Sequence, residues 1–114
     1  ELEALFLFLT PYTQSEMEFE VRFAHVMLMK YFRDDAFIDK TLALFSAFKH
    51  ESYYACMGVA WGLCDLFIAQ REKTLAFLRS NSLDSFTHNK AIQKCRESFR
   101  VSVQDKELLQ TLRR

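Results

Sequence analysis

The chain has 114 residues, of which 50% are apolar and 15% aromatic, and its 15 basic and 15 acidic side chains leave no net charge at pH 7. This length suits one domain with one core, and so much apolar material excludes a disordered chain. Two glycines, one proline and the lack of alternating Val/Ile-rich runs favour an all-α fold. No apolar stretch approaches the length of a membrane span and no secretory signal is visible, so no membrane partner is predicted.

The first nine residues, "ELEALFLFL", are typical of the second helix of a helical repeat. Its partner helix is missing, so we expect the chain to be the C-terminal part of a longer one. A solenoid repeat buries its apolar face only against neighbouring repeats. This end is therefore predicted to self-associate, or else to leave four apolar side chains exposed to solvent. They are Leu2, Leu5, Phe6 and Leu9.

Six further helices are predicted from apolar residues that recur at helical spacing. Three longer helices cover residues 17–32, 52–69 and 87–99, and three shorter ones cover residues 35–48, 70–80 and 103–112. Polar residues at the helix starts are candidate N-caps: Asp34 or Asp35, Ser52, Asp84 or Thr87, and Ser102. The buried side of the last longer helix is predicted to consist of Ala91, Ile92, Cys95 and Phe99.

One short segment occurs three times along the chain. "DKTLALF" at 39–45 recurs as "EKTLAFL" at 72–78 and as "DKELLQT" at 105–111, with a step of 33 residues both times. Three copies of a unit with two helices predict an α-solenoid. Because tetratricopeptide and ankyrin signatures are absent, we expect one all-α domain over residues 1–114, a HEAT-like α-solenoid of about three helix pairs. The units lie at about 17–48, 52–80 and 87–112.

The charges are unevenly spread along the chain. Residues 1–39 hold eight acidic and three basic residues, a net charge of −5, and residues 40–85 hold four and five, a net charge of +1. Residues 86–114 hold three acidic and seven basic residues, a net charge of +4. A basic last third is compatible with a phosphate-backbone partner, and it is equally compatible with a solvated helical face.

The three cysteines, Cys56, Cys64 and Cys95, form no CxxC and have no His at zinc-site spacing. Isolated cysteines in a helical chain are typical of reduced, buried thiols in an intracellular protein. Neither a metal site nor a disulfide is predicted, and His88 has no Cys, His or carboxylate four residues later that would make it a metal ligand.

Three segments together resemble a known family. They are "VRFAHVMLMKYF" at 21–32, "SYYACMGVAWGLCDLF" at 52–67 and "LDSFTHNKAIQKCRESFR" at 83–100. In this order and spacing they resemble the C-terminal half of the bacterial DNA alkylation repair family, the AlkD-like HEAT-repeat DNA glycosylases, and its shorter branch in particular. The resemblance covers about residues 18–114.

The resemblance implies a horseshoe that grips duplex DNA on a concave basic face and excises cationic N3- or N7-alkylated purines without swinging the base into a pocket. It implies alkylated double-stranded DNA as the partner, no cofactor, and a bacterial cytoplasmic protein associated with the nucleoid. Arg22 in "VRFA" matches an Arg that contacts the backbone at the lesion, and Trp61 in "VAWGL" matches a Trp that lies against the lesion. From spacing alone, Trp61 is equally a core residue and Arg22 a partner of Glu18.

The family's catalytic Asp lies in a Trp-x-x-x-Asp segment upstream of these helices. Residues 1–114 contain no counterpart of that segment, so no catalytic residue is assigned in this chain. Asp65 in "WGLCD" repeats the same spacing and is the one catalytic candidate, although its surroundings match the family's other Trp helix. On a helix, such an acid is usually just solvated.

The segment 87–100 supplies the remaining candidates for DNA binding. In the 33-residue frame His88 falls at the position of Arg22, and corresponding positions of the longer helices lie along one face. His88, Asn89, Lys90 and Lys94 would then extend the DNA-binding groove. The alternative is that Thr87 or Asn89 caps the helix and the lysines only solvate it.

Three functions stay open from the sequence. The chain is part of an alkylation repair glycosylase, a non-enzymatic nucleic-acid backbone binder of the same fold, or a protein-interaction scaffold, the commonest role of HEAT-like solenoids. An upstream Trp-x-x-x-Asp segment would favour the first.

Overall fold

The structure is a computed structural model that describes residues 1–114. It contains no strand, so the predicted all-α fold is confirmed. It has seven α-helices: α1 (Leu2–Leu9), α2 (Glu18–Tyr31), α3 (Ile38–Ser46), α4 (Tyr53–Ala69), α5 (Arg71–Arg79), α6 (Ser85–Glu97) and α7 (Val103–Gln110). A short 3₁₀ helix, Thr10–Gln14, joins α1 to α2. No helix combines the length and the apolar character that crossing a membrane requires.

Side-chain caps set the starts of four helices, and at α1 the Glu1 carboxylate accepts a hydrogen bond from the Ala4 N–H at 2.9 Å. Ser52, Asp84 and Ser102 each accept a hydrogen bond from the backbone N–H three residues further on, at 3.2, 3.0 and 3.1 Å. Such a cap satisfies one of the N–H groups that the first turn of a helix leaves unpaired. The predicted N-caps of α4, α6 and α7 are confirmed, with Asp84 rather than Thr87 at α6. At α3 the predicted N-cap, Asp34 or Asp35, was wrong, because the helix begins after Phe37, which makes no side-chain cap bond.

α4 is the central helix of the molecule. It packs against α2 on one side and α6 on the other, so that the three longer helices lie in one layer. The shorter helices α3 and α5 contact each other, and each also contacts the longer helix that precedes it. Because α4 has neighbours on both sides, most of its residues are apolar and buried.

Gly62 lets α4 approach the core more closely than another residue would. A Cβ atom at this position would lie 2.9 Å from two ring atoms of Phe45, which is fully buried on α3. Real Cβ contacts are longer than this, so any larger residue would push the ring away. The glycine therefore sets the distance between the two layers at this point.

Polar contacts link residues about one repeat step apart. The Arg71 guanidinium on α5 donates hydrogen bonds of 2.8 and 2.7 Å to the Asp105 carboxylate on α7. On the other side of α5, the Lys73 ammonium donates to the Asp39 carboxylate on α3 at 3.0 Å. Both pairs span 34 residues, close to the 33-residue step of the sequence. Successive short helices are thus joined to each other.

The expected exposure of the N-terminal helix was wrong for two of its residues. Phe6 and Leu9 are buried, and the Phe6 ring lies 5.3 Å from the ring of Phe32 and 5.4 Å from that of Phe37. α1 turns this face onto the end of α2 and the α2–α3 connection, so the chain covers it itself. Leu5 is only partly buried and packs against the core, whereas Leu2 is exposed as expected, together with Leu7 and Phe8.

The prediction that Phe99 belongs to the buried side of α6 was also wrong. The helix ends at Glu97, and its C-cap residue, Ser98, has extended backbone angles. The helical periodicity therefore stops before Phe99, whose side chain is 95% exposed. Ala91, Ile92 and Cys95 are buried, as predicted.

His25 is a neutral histidine in the middle of the core. Its ring stands edge-on to the Phe45 and Phe48 rings, at 4.7 and 5.5 Å. Nδ1–H donates to the Val21 carbonyl at 2.8 Å, while Nε2 has no partner. Burial lowers the pKa of His25 to about 4, because the charged imidazolium would lose its hydration there.

We expect this histidine to make stability depend on pH. The folded-state pKa lies below the unfolded value of 6.5, so its contribution is complete above pH 6.5 and is lost as the pH falls towards 4. The shift corresponds to about 3 kcal/mol in the free energy of unfolding. Urea unfolding at pH 7.5 and at pH 4.5 measures how much of the free energy of unfolding is lost on acidification. His25→Phe should remove most of this loss. An equal pH dependence in both proteins would contradict the assignment.

Candidate nucleic-acid interface

An open groove runs along the N-terminal part of the molecule, between α1, α2 and α4. Its volume is about 580 Å³, and most of its lining is aromatic or aliphatic. Glu20 and Arg22 are the charged residues that line it. The other lining residues are Phe8, Tyr12, Phe19, Phe23, Val26, Tyr54 and Trp61. Arg22 and Trp61, which the resemblance paired, therefore lie in one groove.

The Arg22 side chain crosses from α2 to α4. Its Nη1–H donates to the Tyr54 carbonyl at 2.9 Å, and the guanidinium lies 4.3 Å from the centre of the Tyr54 ring. The Trp61 ring centre is 6.0 Å away. Stacking on aromatic faces orients a guanidinium and leaves its remaining N–H groups free to donate. The cation is thus held in a fixed place at the groove.

The expected alternative, an ion pair between Arg22 and Glu18, is not formed. The Glu18 carboxylate instead accepts a hydrogen bond from the Ser52 hydroxyl, and none of the three ion pairs of the chain involves Arg22. The Glu20 carboxylate accepts a hydrogen bond of 2.6 Å from the Ser15 hydroxyl. Arg22 is therefore a cation without a carboxylate partner.

Gly58 makes room for Arg22 on the surface of α4. A Cβ atom at this position would lie 2.6 Å from Cγ and 3.1 Å from Cδ of the arginine. The aliphatic part of the side chain rests on the bare backbone of the helix. Gly58 was missed in the sequence, although it and Gly62 are the only glycines of the chain and lie four residues apart on one helix.

Trp61 is a groove residue rather than a core residue. Its side chain is 38% exposed, whereas its neighbours Ala60 and Gly62 are buried. Asp65 lies one turn further along α4, is partly exposed and takes part in none of the ion pairs. It is not among the residues that line the groove. The structure therefore brings Trp61 together with Arg22 but leaves Asp65 outside.

The two candidate lysines of α6 lie at the surface. The Lys90 ammonium is 5.6 Å from the centre of the Phe86 ring and donates to the Gln93 side chain at 3.2 Å. Phe86 in turn pairs with Tyr53 of α4, with 5.9 Å between the ring centres. Lys94 is partly exposed. Both lysines belong to the layer that also carries Arg22 and Trp61.

His88 is fully buried and is not available to a ligand. Nε2–H donates to the Leu112 carbonyl at 2.9 Å, and Nδ1 accepts from the Asn81 amide at 3.1 Å. Burial lowers the pKa of His88, and the nearby Arg114 charge lowers it further. His88 occupies the position of Arg22 in the repeat frame, but the two side chains lie in different surroundings. His88 faces the core, whereas Arg22 faces the groove.

Asn89 is likewise engaged within the chain. Its amide nitrogen donates to the Arg114 carbonyl at 2.8 Å, and its amide oxygen accepts from the Arg114 N–H at 2.9 Å. The Arg114 guanidinium donates to the carbonyls of Leu83 and Asn81. Together with His88, these contacts hold residues 112–114 against α6.

The described residues include no group of three His, Cys, Asp or Glu side chains that could hold a metal ion. The three cysteines are free and buried.

No family model matches the chain, and neither does any of the curated proteins or solved structures compared with it. The resemblance to the alkylation repair family therefore stays a prediction that rests on the quoted residues.

We expect Gly58→Ala to show that Arg22 is held on α4. In an Arg22→Ala background the new methyl group meets no arginine, so alanine should stabilise the helix by about 1 kcal/mol. In the wild-type background the methyl group displaces the arginine, and this gain should be lost. Urea unfolding of the four proteins gives the coupling energy.

The fluorescence quenching of Trp61, the only tryptophan, reports on the same contact. It should change on Gly58→Ala only in the protein that retains Arg22. Equal effects of the substitution in both backgrounds would show that Arg22 does not rest on Gly58.

Proposed function

We propose that the chain is a HEAT-like α-solenoid that holds duplex DNA at alkylated purines, as the C-terminal part of a DNA alkylation repair protein. The observation that carries the proposal is the Arg22 guanidinium, which is stacked on Tyr54 beside Trp61 and has no carboxylate partner. A fixed cation next to an exposed indole suits a phosphate next to a purine. The family resemblance implies that Arg22 contacts the DNA backbone and that Trp61 contacts the lesion.

The solenoid part of the proposal is supported by the spacing of the contacts between helix pairs. Arg71 and Asp105, and Lys73 and Asp39, are 34 residues apart, while the sequence repeats with a step of 33. The longer helices α2, α4 and α6 lie side by side in one layer. A repeat architecture predicts this pattern, since each unit contacts only its neighbours.

Each residue type has a clear chemical task in such a site. An arginine binds phosphate through strong charge-assisted hydrogen bonds and adds salt-dependent affinity. An alkylated purine is cationic, and the face of a tryptophan attracts a cation by about 0.5–2 kcal/mol. Cleavage of the glycosidic bond would further require a carboxylate near the sugar. Because Asp65 lies outside the groove, we assign no catalytic step to this chain.

The apolar groove favours a second candidate function, that of a protein-interaction scaffold. Phe8, Phe19 and Phe23 line the groove and are all more than half exposed. Exposed apolar patches of this kind mark protein–protein contacts. Because Leu2 and Leu7 are also exposed on α1, self-association through this end is a proposal as well. The salt dependence of binding distinguishes a scaffold or a self-associating protein from a DNA-binding one, whether or not the latter is an enzyme. Apolar contacts release no counterions, so their affinity depends little on salt.

The DNA proposal predicts weak, salt-dependent and sequence-independent binding. Contacts from Arg22, Lys90 and Lys94 should give a slope of log affinity against log salt of roughly −3, and a Kd of about 10⁻⁴ M near physiological salt. Each single alanine substitution should reduce the slope by about 1, equally for all duplexes. Fluorescence anisotropy of labelled duplexes would measure both.

Lys40→Ala is the matched control for these substitutions. Lys40 is an exposed cation on α3, outside the layer of longer helices, so the slope should not change. An absence of salt-dependent binding at low ionic strength would favour the scaffold function instead.

Trp61→Ala should remove a preference for alkylated DNA while sparing undamaged duplex. We expect a duplex with one N7-methylguanine to bind about two- to thirtyfold more tightly than its unmodified form, and this difference to disappear in the variant. Trp61→Phe should retain part of it. A preference that survives in Trp61→Ala would place the lesion elsewhere. Release of the alkylated base that disappears in Asp65→Asn would assign catalysis to that carboxylate.

A further inference from the structure

The turn between α6 and α7 has an anchored backbone and presents an aromatic side chain to solvent. Phe99 is 95% exposed, the largest exposed fraction of any large apolar residue in the chain. The Val101 N–H donates to the Ser98 carbonyl at 3.3 Å, and the Arg100 N–H donates to the Ser98 hydroxyl at 3.2 Å. Cys95 before the turn and Val101 after it are buried. Phe99 is therefore held outward by a closed, anchored turn.

The surroundings of Phe99 are basic. Arg96 and Arg100 lie within three residues of it, both are exposed, and neither takes part in an ion pair. The nearest acidic residue in the sequence, Glu97, accepts a hydrogen bond from the Gln93 side chain at 3.0 Å. An exposed aromatic ring between two unpaired arginines suits an anionic polymer with planar groups. This is the composition of a nucleic acid.

The turn also lies within reach of a duplex bound at Trp61. Ile68 lies seven residues after Trp61, on the same face of α4 and about 10 Å further along its axis. Ile68 and Arg100 line one small cleft. A distance of about 10 Å corresponds to about three base pairs of B-DNA. A duplex seated on Trp61 that follows α4 would therefore meet the turn.

We propose that Phe99 is a wedge that inserts between stacked bases of the bound duplex, while Arg96 and Arg100 contact the flanking phosphates. This inference rests on the proposed DNA binding and adds to it a residue that deforms the DNA. Apolar wedges unstack a base step at a cost that is lower where the duplex is already weakened. The wedge would therefore favour damaged or mismatched steps at least about three base pairs from the position of Trp61.

The test uses duplexes with 2-aminopurine, whose fluorescence rises when it is unstacked. The fluorescent base is placed at successive positions of a duplex that carries one N7-methylguanine, which fixes the register of the bound protein, and binding of the whole chain is followed in parallel by anisotropy. Wild-type protein should raise the fluorescence at one or two steps only. Phe99→Ala should abolish the rise and weaken binding about fivefold, the lower end of what the loss of one base–aromatic contact costs. Phe99→Trp should retain the rise.

The salt dependence separates the wedge from the phosphate contacts. With Arg96 and Arg100 added to the three contacts of the proposed function, the wild-type slope should steepen from roughly −3 to roughly −4.5. Phe99→Ala should leave this slope unchanged because no charge is removed, whereas Arg100→Ala should reduce it by about 0.9. Tyr31→Ala is the matched control, since Tyr31 is also an exposed aromatic residue but lies in the acidic first third. It should change neither the slope nor the 2-aminopurine signal.

Three results would overturn the proposal, and they differ from one another. Salt-dependent binding without any rise in 2-aminopurine fluorescence would remove the wedge and leave the proposed function intact. A rise that persists in Phe99→Ala would assign the unstacking to another residue. Sedimentation that shows a dimer in wild-type protein and a monomer in Phe99→Ala would make the turn a self-association surface. Failure of the proposed function itself would appear as no salt-dependent binding in any variant.

Discussion

The arrangement of the molecule depends on how closely other side chains approach α4. This helix lies between α2 and α6, and two glycines one turn apart determine what rests on it. Gly62 admits the Phe45 ring of the core, and Gly58 admits the aliphatic part of Arg22 at the groove. The same device thus serves packing and the candidate site. The Arg22 guanidinium is held by the Tyr54 carbonyl and the Tyr54 ring of α4, and no ion pair is needed to position it.

This way of holding Arg22 matters for the energetics of binding. An arginine paired with a carboxylate must give up that partner before it binds a phosphate, and the exchange returns little free energy. Arg22 loses no ion pair, and its side chain is already ordered, so less conformational entropy is lost on binding. The apolar walls of the groove lower the local dielectric constant and strengthen each charge-assisted hydrogen bond. A single cation in an apolar groove can therefore matter more than the neutral net charge suggests.

The helices could be predicted from the sequence, because helix formation follows from local rules. Apolar spacing located all of them, and the caps Ser52, Asp84 and Ser102 were correct since N-capping depends on the residue itself and the next turn. Burial was predicted less well. Phe6 was expected to be exposed and Phe99 to be buried, and both expectations were wrong. Burial depends on where a distant segment returns, which local spacing does not encode.

The candidate site shows the same limit in the segment 87–100. Four of its polar residues were candidates for one groove: His88, Asn89, Lys90 and Lys94. In the structure they separate according to what lies opposite. The side chains of His88 and Asn89 form hydrogen bonds with residues 112–114 and hold that segment against α6. Lys90 and Lys94 remain at the surface. Repeat positions correspond along the backbone, but the side of α6 that carries His88 and Asn89 has different surroundings from those of Arg22 on α2. The chain covers that side with its own C-terminal residues, and polar side chains that could otherwise face a ligand are used to hold them there.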